Sequence, residues 1–429
     1  MRILIVGAYG LLGSYVTARL LRDGHDVVGA GRDIAAAQRR FPAAAWLRAD
    51  LTAMSVVDWS PLLTGIHAVV NCAGARQDSP RDNLVAVHEL GVATLAQACA
   101  IAGIRRFVQI SAVGVDSGPG PFASTKRSAD DTLRASELDW VILRPGLVLA
   151  PAAFGGSGLL RGLAGFPGFI PAVHADSLIQ TVSVDDVAEA VSRAVRLERQ
   201  ARISCDLVAD EAVRLGDLLI ALRAWLGFAP APVISAPRIL GRLASGVADE
   251  LARLGWRSPM RSAALRQLAA GVRGAASEAQ QHFDFTPADL TATLAARPSG
   301  VQERWYARLY FLKPLSLTVL ALFWAESGLI GLEQQDAAAR LLTAAGFNPS
   351  LASAFVVAGS LADLTLGALV CVRRTAPFAL KGMVALTAAY LVGASIWLPS
   401  LWTDPLGPLL KSAVGALVAL LALAMMDER

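Results

Sequence analysis

Residues 2–6 (RILIV) are apolar after the first position, too short for a helix and followed at once by glycines, so they predict a strand buried on both faces. An amphipathic run from Leu11 to Asp23 and the strand HDVVGAG complete a βαβ unit. Further strands are predicted at 45–48 (AWLR), 68–71 (AVVN), 106–111 (RFVQIS) and 140–144 (WVILR), with helical stretches such as 82–103 between them. This alternation predicts an α/β fold built on a doubly wound parallel sheet. From about Phe228 to Gln302 the pattern becomes that of amphipathic helices rich in Ala, Arg and Leu, a helical cap or connector. Its arginines read as solvated helix faces, with a surface lying on anionic headgroups as the alternative.

After Tyr310 the pattern changes again. Four hydrophobic stretches, about 311–332, 350–372, 377–398 and 406–426, each have the roughly 20 residues that cross a bilayer at about 1.5 Å per residue. They predict an all-α four-helix transmembrane bundle. The expected domains are therefore 1–228, a dinucleotide-binding sheet domain; 229–305, a helical substrate or connector region; and 306–429, the four-span membrane domain.

Composition sharpens this division. Hydrophobic residues make up 54% of the chain and charged residues 17%, against about 25% charged in ordinary soluble proteins, and the excess lies in the last third. A net charge of +4 without a basic run argues against a nucleic-acid partner. The four cysteines (Cys72, Cys99, Cys205, Cys371) lack metal-ligand spacing and read as reduced, buried thiols. The start, MRILIVGAYG, reads as a strand rather than a signal peptide. Arg304, Arg308 and Lys313 at the first span, and Arg373 and Arg374 between the second and third, place the sheet domain and both termini in the cytoplasm of a multi-pass inner (cytoplasmic) membrane protein. Trp324, Trp397 and Trp402 would then form an outer aromatic belt. Glu326 and Lys411, each five residues inside an expected outer boundary (Gly331 and Leu406), are expected to pair. Asp363 is the deepest ionisable residue and Lys381 is placed to snorkel. No histidine falls in a span, which argues against haem or metal there.

The candidate chemistry lies at the strand ends. Gly7, Gly10 and Gly13 in GAYGLLG follow a strand and open a helix, where small residues let backbone N–H groups approach a pyrophosphate. Tyr9 and Leu11 belong to the same loop. Arg32, at the end of the second strand, suits the 2′-phosphate of NADP(H) over NAD(H), although Asp33 is adjacent.

With GAYGLLG, Asp50-Leu51, NCAG at 71–74, ISAVGV at 110–115, LRPG at 143–146 and VSVDDVAEA at 182–190, residues 1–230 resemble the atypical, extended-type short-chain dehydrogenase/reductases, a Rossmann family, especially those near the nucleotide-binding accessory subunit of respiratory complex I. The resemblance implies that Asp50 and Leu51 border adenine, that Ala73 and Gly74 line the cofactor cleft, and that Pro145 and Gly146 lie by the nicotinamide. Ser111 and Lys126 fit the family's catalytic Ser and Lys, the Lys also holding the ribose. The family's tyrosine is Phe122 here, in PFASTK, and a phenyl ring has no proton to give an alkoxide. Ser111, Tyr9 and His174 are the candidate substitutes. Residues 306–429, with RWYARLYFLKPL leading into the first span, resemble a DoxX-like membrane domain. The expectation is a membrane-anchored NAD(P)H-dependent oxidoreductase that acts on a small apolar or membrane-resident substrate or electron acceptor. The alternative is a non-catalytic NADPH-binding structural, assembly or redox-sensing membrane protein. A sugar-nucleotide epimerase is a third reading that would also want the missing tyrosine.

Overall fold

Side chains alternate across a strand, and β1 (Arg2–Val6) shows what that does here. Ile3 and Ile5 enter one core cluster while Leu4 and Val6 enter another on the opposite face. The computed structural model describes residues 1–79, 82–198, 200–405 and 407–427. It places β1 inside a seven-stranded parallel sheet with β2 (Asp26–Gly31), β3 (Ala45–Arg48), β4 (Ala68–Asn71), β5 (Arg106–Ile110), β6 (Asp139–Pro145) and β7 (Ile203–Leu207). The order is β7-β6-β5-β4-β1-β2-β3, so the winding reverses between β1 and β4. Helices α1 (Leu11–Arg22) and, later in the chain, residues 184–196 cover one face; α2 (Gly91–Ile101) and α3 (Pro121–Arg134) cover the other. Strand β7 escapes the sequence reading. Its alternation of Ile203, Cys205 and Leu207 with Ser204 and Asp206 is short, and its register is set by the distant β6.

Ahead of α2 the chain takes one wide π-helical turn, Val85–Leu90. Beyond β6, α4 (Gly155–Ala164), α5 (Val184–Arg196) and α6 (Leu215–Trp225) follow. Two of these, α4 and α6, build a cap with a core of its own around Leu160, Ile170, Leu218 and Leu222. The amphipathic helix α7 (Arg238–Arg253) comes next.

The chain divides into two compact units, residues 1–249 with 258–307 and residues 250–257 with 308–429. The second is helical: α8 (Val301–Glu333), α9 (Gln335–Ala344), α10 (Pro349–Val370), α11 (Ala376–Trp397) and α12 (Pro408–Ala424). Three of these, α8, α10 and α11, are long and apolar enough to cross a membrane. The expected fourth span is shorter. Pro408 opens α12, which has 17 residues, about 25 Å of helix. Leu406, where that span is expected to begin, lies outside the described residues. Helix α9 was not foreseen because Asp336 and Arg340 give that segment a loop-like polarity.

This unit packs small residues inward and turns large ones outward. A Cβ on Gly328 would come 2.6 Å from the Ser360 carbonyl oxygen, so α8 and α10 touch through backbone. Phe378, Leu322, Ile396 and Val414 are exposed, the arrangement a hydrocarbon surrounding demands. Three expectations are corrected. Trp324 is buried at 4% exposure, on an interior face, and takes no part in an outer belt; Trp397 and Trp402 remain exposed. Glu326 and Lys411 are both exposed and share no ion pair among the described residues. The cause is the helix bounds: Lys411 falls in the first turn of α12, whereas Glu326 lies two turns before the end of α8. Finally, all four cysteines are free, but Cys371 is exposed and Cys72 only half-buried.

Candidate functional site

The sheet's carboxyl ends bring the predicted residues to one edge, and the reversal between β1 and β4 opens a crevice there. The β1–α1 turn forms its floor. Gly7 has φ +75°, and a Cβ on it would come 2.8 Å from the backbone of Ala73. Gly10 N donates to Gly7 O at 2.9 Å, and a Cβ on Gly13 would overlap that same oxygen. No side chain caps the start of α1, and no acid sits in its first turn. The helix therefore keeps its amides and partial positive charge for an anion.

At the end of β2 the Tyr9 ring lies where a side chain on Gly31 would be, and Tyr9 Oη accepts from Asp33 N at 3.3 Å. Arg32 Nη2 donates to Asp82 Oδ1 at 2.8 Å. After β3, Asp50 Oδ1 accepts from Thr52 N and Oγ1, and Leu51 is buried against Gly91. After β4, Ala73 N donates to Asn71 Oδ1 at 3.0 Å, while Asn71 Nδ2 donates to Gln109 Oε1. Gly74 leaves the space that a Cβ would fill 3.4 Å from Lys126 Nζ and 3.5 Å from His88 Nε2. After β6, Pro145 O accepts from Val113 N, and Gly146 admits the Gln180 carbonyl at 2.6 Å from a would-be Cβ.

Ser111 and Lys126 are both 5% exposed. Ser111 Oγ donates to Asp130 Oδ2 at 2.9 Å, so its proton is already committed away from the cleft. Lys126 Nζ donates to Ile110 O at 2.8 Å. Burial pushes the Lys126 ammonium down to about 8, against the pull of Asp130 and Cys72. Asp130, fully buried, accepts from Arg144 at 3.1 Å, and Arg144 also holds Asp116 at 2.6 Å. Burial raises the Asp130 carboxyl above its ordinary range, with Arg144 opposing.

Phe122 stands one helical turn before Lys126, half-buried, its ring edge-on to His88 at 5.8 Å. The sequence reading overlooked His88, a lone histidine in the apolar run VAVHEL. Its Nε2 accepts from Ala75 N at 3.1 Å, which assigns the proton to Nδ1, facing Thr125 Oγ1 at 2.9 Å. Burial first, and Lys126 second, push the imidazole down to about 2, so it stays neutral at working pH.

The suggested proton donors are not gathered here. Tyr9 Oη sits by Asp33 at the end of β2, three strands from β5 and so about 14 Å away at the usual strand spacing. His174 lies in a tight turn of the cap with φ +58°, and no hydrogen bond joins it to Ser111 or Lys126 among the described residues.

Residues 7–196 match the model of a family described as NAD(P)H-binding, and residues 321–423 match that of a DoxX-like family. The chain joins an NAD(P)H-binding Rossmann domain to a DoxX-like domain. Its NAD(P)H-binding part is 31% identical over 196 residues to an uncharacterized protein of Mycobacterium tuberculosis, 46% of this chain and 20% of that one. The match thus spans a fifth of the mycobacterial protein's length. It is also 29% identical over 224 residues to the photosystem II assembly factor Ycf39 of Synechocystis, 49% of this chain and 64% of that one. Among solved structures, an NADPH-dependent quinone oxidoreductase of Escherichia coli aligns with a TM-score of 0.53 at 18% identity, over 68% of this chain and 98% of that one. The Bordetella bronchiseptica enzyme WbmG in complex with NAD and UDP gives 0.54 at 17% identity, over 72% and 96%. These likenesses show the fold. The NAD(P)H-binding match falls on the sheet domain, and the DoxX-like match falls on the unit whose helices α8, α10 and α11 are long and apolar enough to cross a membrane.

Proposed function

We propose that the chain is a membrane-anchored NAD(P)H-dependent oxidoreductase of the atypical short-chain type, with a small apolar or membrane-resident electron acceptor. The observation that carries this reading is the turn itself: Gly7, Gly10 and Gly13 pack too close to backbone for any Cβ, the start of α1 is left uncapped at the strand ends, and Lys126 Nζ lies 3.4 Å from where a Cβ on Gly74 would stand. The bound nicotinamide would supply hydride. In this reading the start of α1 binds the pyrophosphate, Lys126 holds the ribose hydroxyls, Asp50 and Leu51 border the adenine, and Ala73, Gly74, Pro145 and Gly146 flank the ring. Arg32 favours NADP(H). Phe122 and neutral His88 keep the reacting end dry and apolar. No acid stands at the Phe122 position, so the site is suited to an acceptor that takes hydride without a proton from it, as a quinone or flavin ring can, rather than to a simple ketone. The basic residues at the start of α8 and at Arg373 and Arg374 support a cytoplasmic NAD(P)H domain on an inner membrane.

A second reading, a binding protein without turnover, is favoured by the engagement of the Ser111 hydroxyl with Asp130. The full chain in detergent, loaded with NADPH and mixed with a short-chain quinone, separates the two. Oxidation of the nicotinamide supports the enzyme, and tight binding without oxidation across quinones and flavins moves the reading to the binding protein. Phe122→Tyr adds a sharper test. A gain in ketone reduction of about 10²–10⁴-fold is expected if the remaining site is competent.

A further inference from the structure

Helix α7 is built with its large apolar side chains facing away from the protein. Its inward face carries the small residues Gly241, Ser245 and Ala248, all buried, and a Cβ on Gly241 would already press the Val173 methyls at 3.2 Å. The large residues recur at the helical period on another face: Leu240 is 54% exposed, Leu243 63%, Val247 61% and Leu251 40%, and Leu254 just beyond the helix is 40% exposed. A helix of a soluble domain does the reverse. Arg238 and Arg242 stand one turn apart on the side of the helix away from this stripe, and neither has an acidic partner among the described residues. The acids of the helix are already taken, Asp249 by Arg261 and Glu250 by Arg253.

The far end of α7 ties the stripe to the helical unit's own chain. Residues 250–257 belong to the helical unit. Leu254 O accepts from Arg373 N at 3.0 Å, Trp256 Nε1 donates to Cys371 O at 2.6 Å, and the Arg373 guanidinium lies 5.7 Å from the Trp256 ring. Residues 371–375 form the turn between α10 and α11, two apolar helices long enough to span. A turn between two spanning helices stands where hydrocarbon gives way to headgroups. The end of α7 is thus pinned at that level, with an indole and an arginine, the residue types enriched at such boundaries.

We infer that α7 lies in the membrane interface, its Leu240–Leu243–Val247–Leu251 stripe in the upper acyl region and Arg238 and Arg242 on anionic lipid headgroups. It is a second membrane contact, separate from the spans.

The test uses the full chain in vesicles of mixed phosphatidylglycerol and phosphatidylcholine, with the exposed native thiol removed by Cys371→Ser. A polarity-sensitive fluorophore is placed in turn at Leu243→Cys, Val247→Cys, Arg242→Cys and, as a reference for the spans, Val392→Cys. Labels at 243 and 247 should be quenched by nitroxide lipids and spared by aqueous iodide, and the label at 242 should show the opposite. Iodide access at 243 and 247 with nitroxide quenching at 392 overturns the inference and leaves the membrane domain standing. Protection of 243 from both quenchers also overturns it, because a second copy or another protein then covers the stripe. Failure of nitroxide quenching at 392 overturns membrane insertion itself, and this inference with it.

Discussion

Asp130 in the first unit and Asp363 in the second are both buried, and the two units solve that problem differently. Asp130 in the NAD(P)H-binding domain is fully buried and is met by the Arg144 guanidinium, the Ser111 hydroxyl and the nearby Lys126. Asp363 in α10, 5% exposed, is met by two neutral hydroxyls, Ser327 Oγ at 2.8 Å from α8 and Tyr390 Oη at 3.0 Å from α11. The first arrangement balances charge and joins the edge of the ligand crevice. The second joins three helices by hydrogen bonds and brings no cation into an apolar bundle. A sheet domain with water at its strand ends can hold buried cations cheaply. A bundle in hydrocarbon does better with hydroxyls, whose own desolvation cost is small.

The comparison can be broken most directly at Arg144. Arg144→Ala leaves Asp130 buried without its countercharge, and a loss of about 3–5 kcal/mol is expected. Hydrogen exchange in β5 and β6 of the full chain reads it, and an unchanged exchange rate would mean that Asp130 is carried neutral. Lys126 gives a pH window next. The buried ammonium titrates near 8 and an unfolded lysine near 10.5. Between those values the unfolded chain holds more protons, so the stability of this unit rises with pH across the window. Lys126→Met should flatten that rise; a slope that persists in the variant places its origin elsewhere.

Asp363→Ala should cost less than Arg144→Ala. Interhelical hydrogen bonds in bundles contribute about 0.6 kcal/mol each and at most about 1.7, so about 1–2 kcal/mol is expected, with Asp363→Asn nearly neutral. A loss as large as that of Arg144→Ala would show that Asp363 carries a charge that the hydroxyls alone do not balance. The smallest effect concerns the exposed pair Arg32–Asp82. Such pairs are worth up to about 1 kcal/mol, so Asp82→Asn should tighten NADPH about fivefold or less and leave NADH unchanged. Arg32→Ala should abolish any preference, and titration of both cofactors checks the pair together.

The residues that depend on local pattern were legible in the sequence. Strands β1, β3 and β4 fall where apolar runs end in glycine or polar residues, and GAYGLLG announces its turn because each glycine answers a local steric need. What was hidden depends on distance. Asp130, Arg144 and His88 read as ordinary helix and strand residues until β5, β6 and α3 converge. The Glu326–Lys411 pairing failed for a related reason: depth counted from hydropathy shifted by two residues at each end once Glu333 and Pro408 set the real bounds. Trp324 looked like an interface anchor by its position along the helix, and the face it occupies cannot be read from one helix alone.

The π-helical turn at Val85–Leu90 has a further meaning. A wide turn is an α-helix carrying one residue too many, and that residue shifts the helical phase by about 100°. The six residues VAVHEL can therefore aim His88 at Ala75 and Thr125 while α2, resuming the ordinary period at Gly91, still lays Val92, Leu95 and Cys99 on the sheet. The crevice and the core make competing claims on one continuous helix, and a single inserted residue lets both be met. Such an insertion is a small genetic change, so a relative lacking one residue here would keep the same sheet and the same packing while turning a different side chain toward the cofactor.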